Sequence, residues 1–453
     1  MSTASSVGHA NGHANGQDAD AAGTLPSRQA WYLVFALTIC NVIATVDRMA
    51  MTVLVTPMQQ SLGLSDTDTG LIGGLVLGLF YALAGLPIAH YGDRLNRRNL
   101  ICIALVLWSF MTALCGLAVG FWSLFLARVA VAVFDASLAP SSNAMLADAF
   151  AANALSRPLS VFAIGSSLGN TLAAVLTKVF LALAPVVLAG FVWHEQPLEP
   201  WRGVFFGLAL LGVIPLLLLL AACEPPRRAA SSNVAFLPEM LAFFRHIAGE
   251  WRGYLPCYLG YTLMVLPLVC IAFWTPTAYE RLYGVPSPTA GMWMGIGYIL
   301  FGITGTLGGG WLADRWDRKG RVDGKLRVLL VAALGLAPFA VAGQFMPTMW
   351  SALPCLWAAM FFSGMGLGPI SAAVQVMTPT ALRARAAAVL YLIVNLVAFA
   401  GIPLAGAVTD YVFGNPNHIN LSLAAITVVF EILAIALVVW GLPHFRKQLA
   451  RVA

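Results

Sequence analysis

Apolar residues follow one another in runs of about twenty or more, broken by short polar stretches. The runs fall near 31–57, 70–91, 100–119, 121–147, 158–184, 202–222, 252–279, 291–313, 326–346, 349–377, 384–412 and 420–441. About 20 apolar residues carry a helix across the hydrocarbon core of a bilayer, so the pattern predicts twelve transmembrane helices. Gly and Pro recur inside the runs, as they do in membrane helices that pack closely. The fifth run continues past Pro185 to Trp193. A break at Pro185 and an interfacial end are expected there.

The polar breaks set the orientation. Lys and Arg crowd the loops on one side, at Arg94, Arg97, Arg98, Arg227, Arg228, Arg315, Arg318, Lys319 and Arg446 among others. The opposite side holds Arg202 and Arg281. The basic side is expected to face the cytoplasm, with both termini on it. The longest internal loop divides the chain into a tail (1–28), a six-helix bundle (29–222), a linker (223–250), a second six-helix bundle (251–443) and a short tail (444–453). The halves repeat. Asp93-Arg94-Leu95-Asn96-Arg97-Arg98 and Asp314-Arg315-Trp316-Asp317-Arg318-Lys319 both read D-R-x-x-R-[RK] and stand 221 residues apart; the same offset carries Gly70 onto Gly291. A duplication of this kind predicts two bundles that rock about a site at their junction.

Composition narrows the class. Of 453 residues, 60% are hydrophobic and 10% charged, against about 25% charged in a soluble domain. The net charge of +6 is scattered in short groups, so no nucleic-acid surface is expected. The seven cysteines form no C-x-x-C pair and read as small core residues. The Ala-, Gly-, Ser-, Asn- and His-rich start, with a tandem His-Ala-Asn-Gly from His9 to Gly16, reads as a disordered tail; it lacks the basic start of a signal peptide. No nucleophile–base pair, metal cluster or nucleotide loop stands out. Neither an enzyme nor a cofactor is expected.

Charges inside the spans carry the chemistry. Asp47 and Arg48 lie near the middle of the first helix, Arg128 and Asp135 in the fourth. Each costs roughly 2.5–3.5 kcal/mol at a helix centre, so such groups must pair or face water. Arg128 and Asp135, two turns apart, share a face that Ser142 continues; Asn41, Thr45, Arg48 and Thr52 form a second stripe. The stripes can line one polar cavity, while Asp47, about 100° around the helix from Arg48, points to a neighbouring helix. At the 221-residue offset these charges become Leu268, Val269, Met349 and Leu356, so the fold does not require them. Asp47 and Asp135 are the proton candidates, since burial favours a neutral carboxyl and a nearby Arg a charged one. Arg48 and Arg128 are the anion partners, with Asn41, Thr45 and Ser142 beside them. In the second half Tyr261, Trp274, Tyr298, Gln375, Tyr391 and Asn395 offer a mainly aromatic wall. Glu431, mid-span in the twelfth run, has no assigned partner.

The D-R-x-x-R-R loop resembles the signature of the major facilitator superfamily. The resemblance implies a cytoplasmic gate made of Asp93, Arg94, Arg97, Arg98, Asp148, Asp314 and Arg315. Val46-Asp47-Arg48, Trp108 to Ala118, Phe121-Trp122, Leu126-Ala127-Arg128 and Glu224-Pro225-Pro226-Arg227 look like bacterial spinster-type transporters. In that family a helix-one Asp-Arg and a helix-four Arg with a Glu form the proton-responsive cluster. The resemblance hands those roles to Asp47, Arg48, Arg128 and Asp135, although the family's Gly-Glu-Ala reads Phe134-Asp135-Ala136 here. It implies a proton-coupled secondary transporter of the bacterial inner membrane, acting as a monomer among membrane lipid. Animal spinster relatives move lysophospholipids and sphingosine phosphate, which implies an amphiphilic, lipid-like anion as substrate. Two alternatives remain: a proton-coupled symporter of a small organic acid, because anion–cation symporters share the helix-one Asp-Arg, and a transport-inactive sensor or scaffold.

Overall fold

The computed structural model describes residues 26–92, 95–150, 155–190, 192–193, 196–226, 244–379 and 382–452. Residues 1–25 of the N-terminal tail, and Arg227 and Arg228 in the linker, lie outside them. Among the described residues, twelve helices are long and apolar enough to cross a membrane. In the first half these are α1 (Ser27–Leu62), α2 (Asp66–Gly70, Leu71–Phe80 and Tyr81–Gly92), α3 (Arg97–Gly116), α4 (Phe121–Asp135 and Leu138–Ala149), α5 (Ser156–Val187) and α6 (Pro200–Leu211 and Val213–Leu220). The second half holds α7 (Trp251–Tyr283), α8 (Ser287–Gly297, Tyr298–Gly302 and Ile303–Arg318), α9 (Gly324–Ala342), α10 (Met349–Met377), α11 (Arg383–Ala407 and Val408–Phe413) and α12 (Ile419–Val452).

Local chemistry sets the turns. Gly63 ends α1 in the left-handed conformation, at φ 65°, and its N–H returns to Gln59 O. Ser65 and Asp68 then cap each other and start α2. Gly284 closes α7 in the same way as Gly63 closes α1. Asn96 accepts from Asn99 N and opens α3.

Three expectations need correcting. Pro185 does not break α5. The helix runs through it to Val187, and Leu188 N still reaches Ala184 O at 2.8 Å. The helix ends at Val187, short of the two-residue ladder pairing Val192–Trp193 with Gln196–Pro197. α8 continues through Asp314-Arg315 to Arg318, so the second D-R motif is helix, not loop. α12 extends past 441 to Val452, because the segment beyond Pro443 keeps buried positions at Phe445 and Gln448.

Each half has its own apolar core. One cluster fills the first bundle; two occupy the second, and Val55 of α1 belongs to one of the latter. The halves meet mainly through α2 on α11 and α5 on α8. Glycines permit the close approach. A Cβ on Gly70 would lie 2.6 Å from Pro403 Cα, one on Gly74 2.5 Å from Phe399 O, and one on Gly78 2.8 Å from Asn395 O. The 221-residue offset carries Gly74 onto Gly295, whose added Cβ would meet Thr171 Cα at 2.8 Å across α5. The duplication therefore repeats at the crossings.

The junction is asymmetric along the membrane axis. At the end away from the termini, Arg281 of α7 grips both oxygens of Asp66 (2.6 and 2.8 Å) and Gln59 Oε1 (2.8 Å). Thr56 Oγ1 donates to Glu280 (2.8 Å), and Asp410 of α11 accepts from Thr67 N and Oγ1 in the first turn of α2 (2.7 and 2.6 Å). Toward the end bearing the termini, the Tyr81–Gly92 segment of α2 barely touches α11. Among the described residues the bundle is closed at the far end and parted at the terminal end.

Candidate functional site

The four charges of α1 and α4 form two ion pairs, each joining the two helices. Arg128 Nη1 donates to Asp47 Oδ2 at 3.3 Å, and Trp108 Nε1 of α3 donates to the same oxygen at 3.1 Å. Both members are sealed, with side chains 2% exposed. Arg48 Nη1 lies 3.4 Å from Asp135 Oδ2, and its Nη2 donates to Thr45 Oγ1 at 3.2 Å. The second contact is looser. Asp135 Oδ2 makes no hydrogen bond among the described residues, and the Arg48 side chain is 24% exposed. The 100° step between neighbours on α1 explains the difference. It turns Asp47 into the bundle toward α3 and α4, and Arg48 toward the junction. Asp135 is also the last residue of the first α4 segment, just before the turn at Ala136–Ser137.

Arg48 opens onto a cavity of about 180 Å³ between the halves. α1, α2 and α5 contribute Thr52, Leu77 and Asn170; α7, α8 and α11 contribute Phe273, Tyr298 and Phe399. Among the lining residues Arg48 carries the charge. Val269, at the 221-residue offset from Arg48, lines the same space from α7. One site thus has a cationic wall and an apolar one.

The remaining candidates scatter. Asn41 is buried against α5, donating to Phe162 O (2.9 Å) and Ser166 Oγ (3.0 Å), and Thr45 bonds back to Asn41 O. They fasten α1 to α5 and steady Arg48. Ser142 is fully buried, with no hydrogen-bond partner among the described residues. Arg128 stays behind Asp47, away from the cavity lining. In the second half Tyr298 reaches the cavity. Tyr391 is exposed, Asn395 bonds Tyr391 O (2.8 Å), and Trp274 is committed to Ile402 O (3.1 Å). Glu431 is buried in α12, both oxygens without a hydrogen bond among the described residues.

Of the gate candidates, Asp93 and Arg94 lie outside the described residues. Arg97 pairs with Asp148 of α4, and its backbone N–H donates to Glu224 (2.9 Å). Arg98 donates to Ala222 O (2.9 Å). Asp148 and Ala222 belong to the first half, and Glu224 to the start of the linker. Asp314 and Arg315 are exposed, and the Arg315 guanidinium stands 5.1 Å from the Trp311 ring centre. Sequence reasoning missed Asn170, Phe273 and Phe399 at the cavity, and the Asp66–Arg281 closure at the far end. The signal for the closure was present: Arg281 is one of two basic residues on a side otherwise without them.

Two bundles of six spanning helices, a cavity at their junction and paired charges where α1 meets α4 define a multi-pass membrane transporter, not an enzyme. The chain belongs to the Major Facilitator Superfamily, whose sequence profile matches residues 37–405. Among curated proteins it is similar to an MFS-type efflux pump of Mycolicibacterium smegmatis, 29% identical over 306 residues, 66% of each chain. It is also 29% identical over 337 residues to protein spinster homolog 1 of Homo sapiens, covering 70% of this chain and 60% of that one. The match thus spans less than two thirds of these relatives' length. Among solved structures, a bacterial homologue of the human lysosomal transporter Spinster, described as inward-facing and unoccupied, aligns with a TM-score of 0.80. It is 24% identical and covers 94% of this chain and 99% of that one. A D-xylose–proton symporter aligns with a TM-score of 0.65 at 14% identity, covering 89% and 97%.

Proposed function

We propose that this chain is a proton-coupled secondary transporter that moves an amphiphilic, lipid-like anion by alternating access. The observation that carries the reading is the position of Arg48. It is loosely held by Asp135 and open to a cavity whose other walls are apolar. An anionic head group would take Arg48 from Asp135, since one guanidinium fork serves one carboxylate or phosphate best. Asp135, losing its counter-charge, would then accept a proton. Substrate and proton are linked through the shared Arg. Asp47 and Arg128 form the inner pair that holds α1 against α4 and carries the second titrating group. Phe273, Tyr298 and Phe399 would receive an apolar tail, and the resemblance to spinster transporters supports such a substrate. The basic loops support cytoplasmic termini, and with that orientation the parted end faces inward. Asp66, Arg281 and Asp410 are the outer gate; Arg97 and Asp148 belong to the cytoplasmic one.

The cavity's small volume favours a second substrate class, a small organic acid taken up with a proton. Flux into proteoliposomes decides between them. A panel of lysophospholipids and small carboxylates is tested with and without a pH gradient. Gradient-dependent flux of a lysolipid supports the first reading, and of a carboxylate alone the second. No flux of either would overturn both.

A further inference from the structure

A second cavity, of about 550 Å³, opens at the terminal end of the second bundle, where the α8–α9 turn, the end of α10, the start of α11 and the end of α12 converge. Lys325, Arg383 and Arg446 line it, with Asp317 the acidic residue among the lining groups. The cations are unequally committed. Lys325 is paired with Asp317, and Arg446 shares Asp323 with Arg327 (2.7 Å from Arg446 Nε, 2.9 Å from Arg327 Nε). Arg383 uses Nε to hold Thr378 O at 3.2 Å and pairs with no carboxylate among the described residues. It is also the first residue of α11, whose first-turn N–H groups have no helical acceptor. Four cations, Arg327 included, thus face two carboxylates beside a helix N-terminus, an arrangement suited to a phosphate.

The rim is apolar. Val322 and Val376 are 59% and 43% exposed, and Leu449 lies beside them. Exposed apolar groups beside cations at the ends of spanning helices suit a ligand with both a charged and an apolar part. We propose that this cavity binds the phosphate of an anionic phospholipid, with Arg383 as its principal cation. The site lies in the other bundle from Arg48 and is independent of the transport cavity. A soluble phosphate ester offers the same chemistry without the apolar part.

The test is lipid retention by purified full-length protein in detergent, read by native mass spectrometry. The probes are phosphatidylglycerol, phosphatidylcholine, glycerol 1-phosphate and inorganic phosphate. Wild type should retain phosphatidylglycerol over phosphatidylcholine, and Arg383→Gln should weaken retention about fivefold. Lys325→Gln is the second variant, should Arg383→Gln fail to fold; Arg446 is avoided because it holds Asp323. Binding of the soluble phosphates with the same Arg383 dependence would keep the phosphate site and assign it to a soluble ester. Equal retention of the two lipids, or retention unchanged in a folded variant, would overturn the proposal.

Discussion

Asp47 and Arg48 are neighbours in the chain and end in different surroundings, which gives the two arginines different work. Arg128 is sealed and neutralises Asp47; Arg48 is half committed and open to the cavity. Removing one partner of a buried pair leaves an uncompensated charge, at a cost of roughly 3–5 kcal/mol. Arg128→Ala is therefore expected to lower the melting temperature of the purified protein markedly. Arg48→Ala should melt close to wild type and lose substrate binding instead. Equal melting losses in both variants would contradict this division. Asp135→Asn keeps the shape and removes the titrating group, so gradient-driven flux should vanish while counterflow without a gradient persists. Asp135→Asn flux that still follows the pH gradient would remove Asp135 from the coupling. The four charges were legible in the sequence because lipid makes them expensive, and the repeat showed them dispensable to the fold. Their pairing was not, since it depends on how α1 and α4 are rotated about their axes. That rotation is fixed by packing such as Gly169 against Thr45.

Helices fail or hold for local reasons. The α2 glycines 70, 74 and 78 let α11 lie against backbone, and together with Asp66–Arg281 they close the far end. Gly74→Val would drive its side chain into Phe399 O and Pro403, and Arg281→Gln would remove the bidentate pair. Both should shift the population toward an open far end. Alkylation of a cysteine introduced at Thr56 reads this: faster labelling than in the unmodified background is expected, and unchanged labelling would leave these contacts as packing alone. The glycine spacing was visible in the sequence, but nothing there named α11 as the partner. Near the terminal end, burial pushes the Asp323 carboxyl up, while Arg446 and Arg327 outweigh it and hold the carboxyl below the usual aspartate range. A depressed folded value means that Asp323 stabilises the protein above the ordinary aspartate value, and that this contribution fades as pH falls through the folded one. Arg446→Gln should therefore narrow the stability gap between neutral and acid pH. A melting temperature with the same acid dependence as wild type would count against it.

At the scale of the whole molecule the twelve spans were legible, because an apolar run long enough to cross a bilayer has few other uses. The internal repeat gave the two bundles, and the structure adds that Arg48 and Val269, one offset apart, line the same cavity. The far-end closure left one trace, Arg281 on a side almost without basic residues, but not its partner, because which ends of the helices touch depends on the conformational state. The C-terminal wall was hidden too: of the six residues expected there Tyr298 reaches the cavity, and the others are spent on packing or lie outside its lining. The central claim is that one guanidinium, Arg48, serves both the substrate anion and the proton-accepting carboxylate. Equilibrium binding to purified protein across pH tests it most directly, with a lysophospholipid and a small carboxylate as probes, for wild type, Arg48→Ala and Arg48→Lys. Arg48→Ala should bind at least about tenfold more weakly, a loss of ~1.4 kcal/mol, and its remaining affinity should barely change with pH. Arg48→Lys should recover part of the affinity, for want of the planar fork. Wild-type affinity and wild-type pH response in Arg48→Ala would contradict the account and leave the two pairs as structural clamps between α1 and α4.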